Sequence, residues 1–484
     1  MLAISKGEYR LEKKPYRVSL PPSKSMANRA LIIAALSDKL DAFLKKNPNL
    51  QKDSCRDTQL LLHALQNRQG VTFEFRDAGT PFRLFLAYAC ATFIHSFELH
   101  GDESLNNRCV KPLVDALRVC GAEITYLKKD GFPPLQITKG MDHFDSVSID
   151  RSQSSQFVSA MLLVAPFFSG KKQITLLGDA HSDSYIQLTI DQMRLAGVEV
   201  EIQYPIEGRT SLIGPFFFPQ SGKHSIPVLK NISCSSAYTS PLNCKIEGDW
   251  SAATFFYPIV YSALDLCFKE KNRKSQTANT LYLSPLHLES FQYDANMSEH
   301  SKHFGFSTTN ASTKHQNRVK IYRPTHNRHT LINATDHAQP NHKLPYEHIL
   351  NPLVFDMANE PDTVLALLSL CMLKEQTALF KNIDNLQWKE SNRILAIQEI
   401  AINLQCSFIR NPICDEWLFD ASTLVWPKEI SIASHDDHRI VMAFSALSNR
   451  IPIVYIDNPN CVEKSFPSYW EQLKNCNFEL IFTQ

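Results

Sequence analysis

Apolar residues recur at helical spacing through Ala27–Ser37, Pro81–Phe93, Lys111–Cys120, Gln156–Val164, Tyr185–Ala196, Ser251–Leu264, Thr363–Leu373, Arg393–Leu404 and Ile440–Leu447, which predicts helices there. Short β-type runs at Thr72–Phe75, Glu123–Tyr126, Val198–Ile202, Cys406–Ile409 and Ile453–Ile456 predict strands after several of them. Three helix ends carry a Gly just before the β-type run, at Gly70, Gly121 and Gly197. A Gly there supplies the left-handed turn that ends a helix. Ile402–Ile409 reads as a fourth copy without the Gly. The wide spacing points to repeated αβ units rather than a tight solenoid. Two stretches break the pattern. Tyr204–Asn243 is rich in Pro, Ser and Phe, and Lys269–His348 is polar and holds nine of the seventeen His. The pairs His300/His303 and His326/His329 have ligand-like separations. No Cys lies near them and the surroundings are Ser, Thr and Asn, so a solvated excursion is expected rather than a metal site.

The chain has 484 residues, 44% apolar and 20% charged, which fits a soluble globular protein of two to four domains. Fifty basic and 49 acidic residues leave a net charge of +1, which argues against a nucleic-acid-sized basic surface but allows a local basic pocket. Twelve Cys without a C-x-x-C pair are expected to be buried free thiols of a reducing compartment. Met1–Lys14 is charged and does not read as a secretory signal, and no apolar run is long enough to span a bilayer. A cytoplasmic protein without membrane partners is expected.

Chemistry gathers at helix starts. Ser23-Lys24-Ser25 and Asn28-Arg29 open one predicted helix, Asp77-Ala78-Gly79-Thr80-Pro81 with Arg83 another, and Ser154-Ser155-Gln156 a third. Ser182 and Tyr185 stand at a fourth. Unpaired backbone N–H groups at such ends attract anions, so several together suggest a multi-anion site between helix N-termini. The C-terminal half adds Asp356 in the run Asp356–Asp362, Lys389-Glu390 with Arg393 one turn on, Asp436-Asp437-His438-Arg439, and Lys464.

In this order, from about residue 20 to 470, these motifs resemble those of the 3-phosphoshikimate 1-carboxyvinyltransferase family, also called 5-enolpyruvylshikimate-3-phosphate synthases. Glu247-Gly248-Asp249 and Lys464-Ser465-Phe466-Pro467 belong to the same set. The resemblance implies an α/β fold of two lobes, each an inside-out α/β barrel of three βαβαββ repeats, with the active site in the inter-lobe cleft. One lobe would be residues 20–246 and the other 1–19 plus 247–484. It also implies transfer of the enolpyruvyl group of phosphoenolpyruvate to the 5-hydroxyl of shikimate 3-phosphate, with release of phosphate. Neither metal nor organic cofactor is implied, and a monomer is expected. By motif match, Lys24, Ser25, Arg29, Ser154, Ser155, Gln156, Ser182, Tyr185, Asp356, Asn385 and Lys389 would hold shikimate 3-phosphate. Lys24, Gly79, Arg108, Gln156, Arg393, Arg439 and Lys464 would hold phosphoenolpyruvate. Asp356 is the expected base and Glu390 the expected proton donor, with Lys24 and Lys464 as rival acids. The chain departs from the family at Asp77, where Asn is usual, at Pro22 and at Leu84. A carboxylate beside an anion pocket is unfavourable unless it turns away or pairs with a cation.

Three other readings compete. The sister transferase acting on UDP-N-acetylglucosamine carries a loop Cys a few residues before the Arg that matches Arg108, and Asp102–Asn107 hold none. A non-catalytic binding protein on the same fold would be expected to have lost Asp356, Glu390 or Lys24. A nucleotide-binding protein would need a Gly-rich phosphate loop, which the sequence lacks.

Overall fold

A helix that is apolar all round must lie inside, whereas a strand that alternates has one dry and one wet face. Both rules are visible here. Gly79–Thr92, Gln156–Val164, Val364–Lys374 and His438–Phe444 are buried along nearly their whole length. The strands Tyr16–Ser19, Ser146–Asp150, Val200–Gln203 and Glu429–Ile432 alternate buried and exposed. Helices therefore form the interior and sheets the outer wall. The computed structural model describes residues 1–6, 15–178, 182–203, 230–234, 237–239, 244–261, 280–313, 316–322, 352–411 and 416–482.

The described residues form five four-stranded sheets. In one, Thr72–Glu74 pairs parallel with Phe97–His100, and Leu135–Lys139 and Glu123–Tyr126 complete it antiparallel. The sheet built on Ser146–Asp150 and Lys172–Leu177 repeats this order, as does that built on Leu353–Asp356 and Ala378–Lys381. The chain's first strand, Leu2–Lys6, lies between Ile453–Ile456 and Phe478–Phe482, and Tyr16–Ser19 pairs parallel with Thr280–Ser284. Buried apolar side chains fall into two separate cores, one of residues 26–246, the other of residues 2–20 with 250–478. The backbone passes between them at Pro21–Ser23 and Glu247–Asp249, which run side by side: Ser23 N donates to Glu247 O at 2.8 Å, and Asp249 N to Pro21 O at 3.0 Å. Gly248 fits there because a Cβ would stand 2.6 Å from the Pro285 carbonyl oxygen. Among the described residues no helix is long and apolar enough to cross a membrane, and ten cysteines are free thiols, eight of them buried.

Several expectations change. The first unit of the 26–246 core is helical throughout: Lys24–Leu36, Leu40–Lys46, Asn49–Lys52 and Arg56–Gln66 follow one another with no strand between. Leu40, Phe43, Leu44, Leu50, Leu61 and Leu65 are buried at helical spacing, and no alternating β-branched run competes with them. Gly121 and Gly197 have the expected positive φ, 93° and 84°, but Gly70 does not. Its missing side chain makes room for the Phe73 ring, 2.7 Å from where a Cβ would lie. In the copy without Gly, Gln405 takes the left-handed turn at φ 55°. The aperiodic stretch after Tyr204 contains the strand Asn231–Cys234, which pairs with Lys172–Leu177 and Val200–Gln203. The polar stretch after Lys269 is no excursion between residues 280 and 322, because Thr280–Ser284, Ser307–Asn310 and Val319–Tyr322 are three strands of one sheet. His300 pairs with Glu360 at 2.8 Å, and His300 and His303 both pack edge-on against Phe355. His326 and His329 lie outside the described residues. The helix expected over Ser251–Leu264 breaks after Trp250–Thr254, and a second helical run covers 256–261.

Candidate active site

The helix starts converge on a cavity of about 110 Å³ between the two cores. From the 26–246 side come Lys24, Ser25 and Arg29 of the first helix, with Arg83 and Arg108. Ser154, Ser155 and Gln156 join at the start of Gln156–Val164, and Ser182 and Tyr185 at the start of Asp183–Leu195. The opposite side supplies Asp362, Asn385, Lys389, Glu390 and Arg439, with Trp388 on the rim, 71% exposed. Six cationic side chains thus face two carboxylates, a surplus suited to polyanions.

Each cation is held by specific partners. Lys24 Nζ lies 3.2 Å from the buried Asp57 carboxylate. Burial is the strongest single influence and works against its charge, but Asp57, Cys55 and Glu390 together outweigh it and hold the ammonium above the usual lysine range. Arg29 is buried without a carboxylate: Nε donates to Thr189 Oγ1 at 2.6 Å and Nη1 to the Ser25 carbonyl at 2.9 Å. Burial pulls it down to about 10. Arg83 falls to about 10 through burial and the like charge of Arg108, and its Nη1 donates to Gln156 Oε1 at 2.6 Å. Arg108 Nη2 donates to Ser104 Oγ at 3.0 Å.

Asp362 is the hub of the opposite wall. Its carboxylate meets Arg393 Nη1 at 2.9 Å, Arg439 Nη2 at 3.1 Å and Lys389 Nζ at 3.7 Å. It also accepts from Tyr185 Oη at 2.7 Å, a bond that crosses the cleft. Burial raises its pKa, but Arg439, Lys389 and Arg393 prevail and keep it well below the usual carboxylate range. Glu390 pairs with Arg393 Nη2 at 2.7 Å. Burial opposes its ionisation, but Arg393, Lys464 and Lys24 hold it ionised. Asn385 Nδ2 reaches Ser182 Oγ at 3.3 Å, a second bond across the cleft.

Of the residues expected from the sequence, Asp356, Gly79, Arg393 and Lys464 do not line the cavity. Asp356, the expected base, lies away from the cavity lining. It ends the strand Leu353–Asp356 with an exposed carboxylate that accepts from Asn382 Nδ2 at 2.8 Å and Ala358 N at 3.1 Å, which is the work of a turn. Arg393 is walled in, its guanidinium shared by Asp437 at 2.7 Å, Asp362 and Glu390. Lys464 is buried against Asp77, 2.9 Å from its carboxylate and 3.0 Å from its carbonyl oxygen. Gly79 faces the cavity's cations from behind, since a Cβ there would lie 3.2 Å from Arg83 Nη1 and 3.4 Å from Arg108 Nη1. Sequence reasoning left Asp362, Thr80 and Trp388 unassigned and gave Arg83 no role. Asp362 had a signal: it stands in Glu360-Pro361-Asp362, a polar lead into an apolar helix like the other helix starts, whereas Asp356 follows a β-type run.

Comparison with known proteins agrees with this geometry. The chain is 29% identical over 463 residues to the "3-phosphoshikimate 1-carboxyvinyltransferase" of Bacteroides fragilis strain YCH46, covering 95% of each chain. It is 27% identical over 481 residues to the protein of that name from Neisseria meningitidis serogroup C, again covering 95% of each. A solved structure, "EPSP synthase from Acinetobacter baumannii", superposes with a TM-score of 0.62 at 17% identity and full coverage of both chains, which shows the two-lobed α/β fold. The family model for EPSP synthase (3-phosphoshikimate 1-carboxyvinyltransferase) matches residues 44–216 and 330–473. Since those residues hold most of both walls of the cleft, fold, site and sequence meet in one conclusion: the chain belongs to the EPSP synthase family.

Proposed function

We propose that the cleft between the two cores is the catalytic site of this family member, within lobes of residues 20–246 and of 1–19 plus 247–484. The enzyme transfers the enolpyruvyl group of phosphoenolpyruvate to the 5-hydroxyl of shikimate 3-phosphate and releases phosphate, a step of the shikimate pathway to aromatic amino acids. The observation that carries the reading is the cationic cavity closed by Asp362 and Glu390. Two substrates bearing phosphate and carboxylate groups need such a surplus of positive charge, and planar guanidinium groups fit both.

In this reading Ser154, Ser155, Gln156, Ser182, Tyr185, Asn385 and Lys389 hold shikimate 3-phosphate, with Lys24, Ser25 and Arg29 beside them. Arg83, Arg108 and Arg439 face phosphoenolpyruvate, with Gly79, Arg393 and Lys464 as the layer behind. Asp362, not Asp356, takes the proton of the attacking hydroxyl. Its cations make it a weak base in the free enzyme, and substrate anions that draw Lys389 and Arg439 away raise its basicity. Lys24 holds a proton and Glu390 does not, so Lys24 protonates the methylene carbon during addition. Ionised Glu390 then removes a proton from the resulting methyl group as phosphate leaves with the proton held by Asp362. Glu390 returns its proton to Lys24, whose charge it feels across the cavity.

The test is phosphate release from phosphoenolpyruvate with shikimate 3-phosphate or UDP-N-acetylglucosamine as acceptor, in chelator-treated buffer. Turnover only with shikimate 3-phosphate is expected. Turnover with the nucleotide sugar, or none with either, overturns the assignment.

A further inference from the structure

Asp77 has two cationic partners on opposite sides of the cleft. Its Oδ1 meets Arg56 Nη2 at 2.6 Å, from the start of Arg56–Gln66 in its own lobe. Its Oδ2 meets Lys464 Nζ at 2.9 Å, from the other lobe, and the same ammonium donates to the Asp77 carbonyl at 3.0 Å. Two of the three protons of Lys464 are therefore spent on Asp77. The lysine side chain is 2% exposed and that of Arg56 is 32% exposed, so the buried cation is the one that water screens least. Asp77 lies two residues before Gly79, the first residue of the helix Gly79–Thr92, where a Cβ would touch Arg83 Nη1 and Arg108 Nη1.

A carboxylate alone on Lys464 would cancel its charge and compete with any anion arriving at this side of the cleft. Arg56 brings the trio back to a net charge of +1 and offers the carboxylate a partner it can keep while Lys464 turns to a substrate. Among the described residues the cations paired with Asp77 are Arg56 and Lys464, while Arg83 and Arg108 bond Gln156 and Ser104 instead. On the reading of the cleft given above, we propose that Arg56 is a positioning residue for phosphoenolpyruvate: by holding Asp77, it keeps Lys464 available to the anionic groups of that substrate. Asp77 is then an internal anion that occupies Lys464 in the empty enzyme and retires onto Arg56 when the substrate enters.

The experiment is a double-mutant cycle on the full chain with Arg56→Ala, Asp77→Asn and the pair, plus Arg56→Lys. KM for each substrate and kcat are measured, and phosphoenolpyruvate binding is measured by calorimetry. Arg56→Ala should raise the phosphoenolpyruvate KM and Kd by about tenfold, within the range of coupled neighbouring charges. KM for shikimate 3-phosphate and kcat should stay within about twofold. Arg56→Lys should recover most of the loss. The double variant should return to the level of Asp77→Asn, since Arg56 has no task once the carboxylate is gone. An unchanged phosphoenolpyruvate KM in Arg56→Ala, equal losses for both substrates, or a double variant as impaired as Arg56→Ala overturns the proposal. If the native protein binds phosphoenolpyruvate but does not turn it over, the reading of the cleft fails and the Kd series still decides the role of Arg56. If it does not bind phosphoenolpyruvate, both fail.

Discussion

The two aspartates of the run 356–362 show what burial adds to residue type. Asp356 and Asp362 have the same chemistry, yet one is exposed at a turn and the other is held by three cations in the cleft. Asp362→Asn keeps the size and much of the hydrogen bonding but removes the base, so kcat should fall by about 10²–10⁴-fold. Asp356→Asn should leave kcat within about twofold and lower only the melting temperature. Measuring kcat and melting temperature on both variants separates the roles, and a larger kcat loss in Asp356→Asn would restore it as the base. Thirteen residues expected at the site do line the cavity, because Ser, Lys, Arg and Gln at a helix start betray themselves in sequence. Where the cavity lining differs from that set, one cause recurs. Sequence spacing does not show which carboxylate faces a cavity, nor that Arg393 and Lys464 are covered by the protein's own acids.

At the scale of elements, the paired crossovers are where the backbone passes from one core to the other. Glu247 sits there with its carboxylate buried, accepting from Gln292 Nε2 at 2.9 Å and from Ser290 Oγ. Burial pushes it up to about 7 from 4.5. A raised folded pKa contributes stability in full below about 4.5, and that contribution is lost as pH rises through about 7. His438, held neutral by burial, works in the opposite sense, so the informative quantity is a difference between proteins. Glu247→Gln should match the native protein near pH 4.5 and be more stable by about 1–3 kcal/mol at pH 8. Denaturant titrations at both pH values check this, and a pH-independent difference would remove Glu247 as the cause. Element types were largely legible from periodicity. The all-helical first unit was not, because a missing sheet leaves a sequence gap rather than a motif.

At the scale of the molecule, the described residues form two apolar cores that share no member, joined by two backbone crossovers, by Phe291 packed against the 26–246 core and by polar contacts across the cleft. Tyr185 to Asp362, Asn385 to Ser182 and Lys464 to Asp77 are such contacts. Bonds to charged groups such as Asp362 and Asp77 contribute about 1.5–3 kcal/mol each, and a ligand touching both walls shifts the balance between open and closed forms. Shikimate 3-phosphate reaches both walls in the proposed pose and should reduce the radius of gyration in solution scattering. Identical curves with and without it would mean that the lobes are fixed. One feature makes the same motion visible by light. All five tryptophans lie between residues 250 and 470, in one lobe, and Trp388 is the one on the cleft's rim. Trp250 and Trp417 are buried. The wet indole of Trp388 should emit at longer wavelength than these, and closure that dries it should shift emission to the blue. A Trp388→Phe variant that loses this shift while keeping its scattering change would give the enzyme a built-in optical gauge of cleft closure.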